Sequence, residues 1–172
     1  MSLEQHDKPT RWEVLTVRIV KYNTKLTENQ KVVLEKEVSF NRPDMDRKMN
    51  SPESIVGLAK HVLQLDKAPE EYMYMFCMNT KLQLTSIFEI SHGNVSSSIV
   101  GAREVFQKVL LANAVCIAMI HNHPSGDHTP IREDIEVTKR LAEAGNLLGI
   151  QVIDHIVLGR PGYTSLKEKG YL

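Results

Sequence analysis

The chain has 172 residues, 42% of them apolar and 24% charged, enough to bury the core of a soluble globular domain. Lys plus Arg and Asp plus Glu both total 21, so there is no global positive field to hold a phosphate backbone, and direct nucleic-acid binding is doubtful. No apolar run approaches the length that spans a bilayer, and the first ten residues lack the apolar centre of a signal peptide. Residues 1–10 are polar and read as a disordered N-terminus. Residues 11–45 read as a β-rich N-terminal extension: Val14 to Val20 has the composition of a strand, and alternation towards Phe40 favours a second. Asn41 to Arg47 is a turn-rich link.

Ser51-Pro52-Glu53 is a helix start, with a capping serine, proline at the first helical position and an acid in the first turn. Ile55, Leu58, Ala59, Val62 and Leu63 supply the buried stripe of that helix. Glu71 to Met78 has little polar alternation and suits a central strand, with Leu82 to Ile90 as its hairpin partner across Asn79-Thr80-Lys81. Gly101 to Ala112 is expected to be helical, Ala114 to Ile120 a strand, Pro130 to Leu148 a helix and Gln151 to Leu158 a strand, with a short strand around Tyr163. The order implies an α/β fold, a mixed β-sheet with about three helices. Cys77 and Cys116 fall in expected strands without Cys-x-x-Cys spacing, so they read as buried free thiols in a reducing compartment, and the expected location is cytoplasmic.

Chemistry concentrates in His121-Asn-His-Pro-Ser-Gly-Asp-His-Thr-Pro-Ile-Arg-Glu-Asp134. At the end of a strand, His121 and His123 emerge on one side, because side chains repeat every two residues. With Thr129 as cap and Pro130 in the first turn, Asp134 sits about one turn into the following helix, able to reach back to the loop. Two imidazoles and a carboxylate are three zinc ligands with a fourth position open, the pattern of catalytic rather than structural sites. Spacing alone equally allows two loop histidines and an ordinary first-turn acid.

The string His121-Asn-His-Pro-Ser-Gly-Asp, followed by Thr-Pro-x-Arg-Glu-Asp134, resembles the RadC-like branch of the JAB/MPN (JAMM) metalloprotease superfamily. The likeness extends from Gly93 and Arg103-Glu-Val-Phe106 to Asp154-His-Ile-Val-Leu-Gly159, over roughly residues 50–160. It implies a JAB/MPN, cytidine-deaminase-like architecture over residues 50–172, in a short form without a recognisable helix-hairpin-helix region. It also implies Zn2+ held by His121, His123 and Asp134. The family pattern asks for a glutamate at the start of an earlier central strand. Glu71 fits that place as general base, although Glu70 adjoins it and one residue of register would exchange the two across the sheet. Ser125 and His155 are candidates for supporting contacts behind the ligands. His128 reads as a surface residue.

One position departs from the pattern. JAMM proteins carry a serine three residues before the metal-binding aspartate, and here it is Ile131. A serine hydroxyl can donate to a tetrahedral oxyanion and isoleucine cannot; losing such a donor commonly costs on the order of 10²–10³ in rate. Ser125 and Thr129 share the loop, but turn and cap are their simpler roles. The resemblance therefore implies a zinc-dependent hydrolase acting on a peptide or isopeptide bond in a peptide or protein substrate. The alternative is a catalytically weak or inactive zinc-bearing interaction module, tied by family name to DNA repair or mobile-element biology. A nucleobase deaminase would need His-x-Glu and Pro-Cys-x-x-Cys, and the chain has neither.

Overall fold

The computed structural model describes residues 17–42, 48–93 and 100–172. The expected loose N-terminus of residues 1–10 and most of the link before the first helix lie outside the described residues. Among the described residues the chain forms a mixed seven-stranded sheet and three α-helices. The strands are β1 (Val17–Leu26), β2 (Val32–Arg42), β3 (Tyr72–Met78), β4 (Leu84–His92), β5 (Cys116–Asn122), β6 (Gln151–Leu158) and β7 (Tyr163–Ser165), and the helices are α1 (Pro52–Val62), α2 (Ala102–Leu111) and α3 (Arg132–Leu148). The sheet order is β2-β1-β4-β3-β5-β6-β7.

Strand β3 occupies the middle because it is apolar on both faces. Its Tyr74, Phe76 and Met78 pack with Ile55, Leu58 and Val62 of α1, while Met73, Met75 and Cys77 pack with Val105, Phe106 and Val109 of α2 and Val137 and Leu141 of α3. Helix α1 thus covers one face and α2 with α3 the other. Each fully buried side chain of this size contributes roughly 1.5–3 kcal/mol, so the two layers hold the centre of the sheet rigid. Cys77 and Cys116 are buried and free. No helix among the described residues is long and apolar enough to cross a membrane.

The helix starts have distinct causes. Ser51 caps α1 in a reciprocal box with Ser54: each accepts the other's backbone N–H through its side chain at 3.3 Å. Helix α3 begins at Arg132, two residues later than the Thr129–Pro130 start expected from sequence. Two side chains take the intervening amides instead: Asp127 Oδ1 accepts the Thr129 N–H at 2.8 Å, and Asp134 Oδ2 accepts the Ile131 N–H at 2.8 Å. Ile131 therefore stays extended (ψ 171°) as the N-cap. Gly149 ends α3 in the left-handed region, φ 70°.

The hairpin β1–β2 joins the same sheet rather than standing apart. Lys21 of β1 lies opposite Ile87 of β4 in parallel, and Ile19 is buried in the α1-side core. Strands β5 and β6 are parallel, with α3 as the connection between them. The end of β5 where the chain leaves for α3 is where ligand sites form in α/β sheets.

Candidate metal centre

His121 is the sixth residue of β5 and lies directly across from Met73, so its ring faces α3 rather than α1. It is fully buried, and Asp134 is 2% exposed. His121 Nε2 stands 3.1 Å from His123 Nε2 and 3.2 Å from Asp134 Oδ1, and His123 Nε2 stands 3.6 Å from Asp134 Oδ2. The His123 ring is turned by its other nitrogen: Nδ1 donates to the main-chain oxygen of Asp127 at 2.7 Å. A carbonyl only accepts, so Nδ1 carries the proton and Nε2 of a neutral His123 is bare. Behind His121, Nδ1 meets His155 Nε2 at 2.9 Å, and His155 Nδ1 meets the Thr138 hydroxyl at 2.6 Å.

Glu71 immediately precedes β3, which starts at Tyr72, one residue later than the sequence suggested. Its carboxylate and the nitrogens of His121 and His123 all lie within 4.8 Å of one another, a group able to hold a metal ion. Glu70 points elsewhere and pairs with His92. The side chain that sets this geometry is Asn122, which sequence reasoning missed. Its Oδ1 accepts the Tyr72 N–H and its Nδ2 donates to the Glu70 carbonyl, both at 2.9 Å. Asn122 thereby clamps the start of β3 to the end of β5, with Glu71 between the clamped residues. The residue between two candidate ligand histidines was the available signal.

The remaining residues singled out in the sequence fall at different depths. Ser125 is exposed, and its hydroxyl accepts the Asp127 N–H at 3.3 Å, shaping the loop rather than touching an imidazole of the cluster. His128 is half-buried instead of a surface residue: its Nδ1 meets Thr164 Oγ1 at 2.8 Å, tying the loop to β7. Asp154 is buried, and its carboxylate accepts from Ser165 Oγ and from the main-chain N–H groups of His155 and Lys167. Ile131 sits at the lip, 49% exposed, giving Asp134 its amide but no hydroxyl.

The electrostatics favour a positive charge at the convergence point. Burial pushes the Asp134 carboxyl up, but the adjacent imidazoles of His121 and His123 and the Ile131 amide outweigh it and hold the group well below the usual carboxylate range. The hydrogen bond to Asp134 is the largest influence on His123 and raises its ring against the opposing effect of burial. His155 goes the other way: burial pushes it down to about 3, so it is neutral.

A mixed sheet between helix layers, with His-x-His at the end of one strand and an aspartate in the first turn of the following helix, defines an α/β domain built around a possible metal centre. A family model for the RadC-like JAB domain matches residues 49–171, and the chain belongs to that family. It is 46% identical over 123 residues to a UPF0758 protein of Caldanaerobacter subterraneus, covering 72% of this chain and 52% of that protein. It is 44% identical over 124 residues to the UPF0758 protein YsxA of Bacillus subtilis (72% and 53%), and 42% identical over 126 residues to one from Methanosarcina barkeri (73% and 54%). The chain spans about half the length of these curated relatives, and the β1–β2 hairpin lies outside the residues that the family model matches.

Proposed function

We propose that the protein is a zinc-dependent hydrolase of the JAMM type, cutting a peptide or isopeptide bond in a peptide or protein substrate. The convergence of His121 Nε2, His123 Nε2 and the Asp134 carboxylate, at separations of 3.1, 3.2 and 3.6 Å, carries this reading. His121 meets Oδ1 and His123 meets Oδ2 of Asp134, so two imidazole nitrogens and a carboxylate, donor types that zinc takes, gather at one point. When bound, the ion lowers the pKa of water towards ~7 and polarises a carbonyl. Glu71, on the side of the two imidazoles, is the base that takes the proton of the attacking water and returns it to the leaving amine. Two buried free thiols suit a reducing compartment such as the cytoplasm.

The exposed Ile131 favours a second reading, an interaction module that keeps zinc but turns over weakly or not at all. Metal analysis of the wild type beside Asp134→Ala and Glu71→Gln, with cleavage assayed in parallel, separates the possibilities. Stoichiometric zinc is expected in the wild type and in Glu71→Gln, with cleavage lost in the latter, and zinc is expected to be absent from Asp134→Ala. Equal zinc in wild type and Asp134→Ala would sink the ligand set. Zinc lost from Glu71→Gln would make Glu71 a ligand instead of a base.

A further inference from the structure

A line of hydrogen bonds runs from the main chain of α3 to the imidazole of His121, and its proton positions follow from chemistry alone. The Thr138 hydroxyl lies 2.6 Å from the carbonyl oxygen of Asp134, one turn earlier in α3, and 2.6 Å from His155 Nδ1. A carbonyl oxygen has no proton to give, so the single hydroxyl proton of Thr138 goes to it. The second contact must then be a donation from His155 Nδ1 to the Thr138 oxygen. His155 is fully buried, and the hydrogen-bond partners of its ring nitrogens are a hydroxyl and another imidazole, neither of which is an anion. A neutral ring with its proton on Nδ1 has a bare Nε2, so the 2.9 Å contact to His121 is a donation from His121 Nδ1. In a neutral His121 that leaves the lone pair on Nε2, the atom 3.2 Å from Asp134 Oδ1.

We infer that Thr138 and His155 are positioning residues that fix the tautomer of His121, keeping its proton on Nδ1 and its Nε2 bare towards the convergence point. The inference rests on the reading of His121 as a ligand. It also sets the charge of the site. The group behind His121 is a neutral imidazole where many ligand histidines have a carboxylate, so the donor set of two imidazoles and Asp134 supplies one negative charge rather than two. These three donors would leave a divalent ion held by them with a net positive charge.

Thr138→Val preserves shape but removes the acceptor for His155 Nδ1. The reversed arrangement, with protons on His155 Nε2 and His121 Nε2, then buries a bare Nδ1 against a methyl group instead of stranding an N–H. His121 would present a proton where a metal must bind. Zinc affinity, measured on the full chain by competition with a chromophoric chelator, is expected to fall about 10–100-fold in Thr138→Val, the scale of lost supporting contacts, and to recover in Thr138→Ser. Nitrogen-15 spectra of the histidine rings, recorded with and without zinc, are expected to show the His155 proton on Nδ1 in the wild type.

A His155 proton on Nε2, or on both nitrogens, would overturn the inference, and so would a folded Thr138→Val that binds zinc as tightly as wild type. Failure of serine to restore affinity in a folded variant would assign the loss to packing and overturn it too. If the wild type binds no zinc, the hydrolase reading fails by itself; the ring spectra, which need no metal, still decide the tautomer.

Discussion

Ile131 puts a branched hydrocarbon beside the most polar point in the molecule, and it has two separable effects. As N-cap of α3 it offers no side-chain acceptor to the free amides of the first turn, so Asp134 supplies only the reverse half of a capping box. Ile131→Ser is expected to stabilise the protein by about 0.5–2 kcal/mol, read as a higher urea midpoint with unchanged slope. The same substitution restores a hydroxyl at the lip of the site. If the protein hydrolyses peptide or isopeptide bonds, initial rates on a fluorogenic panel should rise by an order of magnitude or more while zinc content stays constant, because serine keeps the amide that holds Asp134. A stabilised variant with unchanged rates would assign Ile131 to capping alone.

The decisive elements are the loop after β5 and the hairpin at the sheet edge. The loop is pressed against the turn after β6: a Cβ at Gly159 would lie 2.3 Å from the Gly126 carbonyl oxygen and 2.8 Å from the His128 amide, both backbone atoms that cannot swing aside. Gly159→Ala should therefore cost about 1–3 kcal/mol and displace the Asp127 carbonyl that orients His123. Its expected signature is a lower melting temperature together with weaker zinc binding, and a stable variant with normal zinc would show that the loop can shift without harm. At the hairpin, Lys21 is 8% exposed and pairs with Glu89 of β4 at 2.9 Å and Glu37 of β2 at 3.1 Å. Burial is the largest influence on Lys21 and lowers its pKa, but the hydrogen bonds to Glu89 and Glu37 and their charges carry the net shift upward. A lysine raised in the folded state stabilises fully below its unfolded value and loses that contribution as pH rises through the folded one. Lys21→Met keeps the stem and removes the charge. It should cost about 1–3 kcal/mol at neutral pH, between an exposed and a fully buried pair, with the gap to wild type closing only above the ordinary lysine value of 10.5. Chemical denaturation at pH 7 and above pH 10.5 measures both.

Across the whole molecule, the site and the edge hairpin are separable. Glu71, His121, His123, Asp134 and His155 come from the turn before β3 and from β5, the loop after it, α3 and β6, and none comes from β1 or β2. A chain beginning at residue 48 is expected to keep one zinc per molecule. It should also melt lower and self-associate, because β4 loses its parallel neighbour and the core loses Ile19. Zinc content and light scattering of the soluble fraction test this, and a soluble truncated chain without zinc would tie the site to the hairpin.

The sequence by itself determined what is local. The period of two at the end of β5 brings His121 and His123 to one spot, the segment from Pro124 to Asp134 is short enough to return a carboxylate there, and the double-sided apolar run of β3 can be stable only between two helix layers. Tertiary structure alone decided what depends on partners distant in sequence. Glu71 rather than Glu70 faces the imidazoles because Asn122 grips the backbone on either side of it, 50 and 52 residues away. Helix α3 starts at Arg132 because Asp127 and Asp134 take the preceding amides. Thr138, unremarkable as a letter, joins His155, a supporting candidate already in the sequence, as the hydrogen-bonded support of His121 because α3 and β6 pack there. Periodicity is carried by each segment on its own, whereas a hydrogen bond needs two groups within about 3 Å, a distance that only the packing of helix on sheet can set.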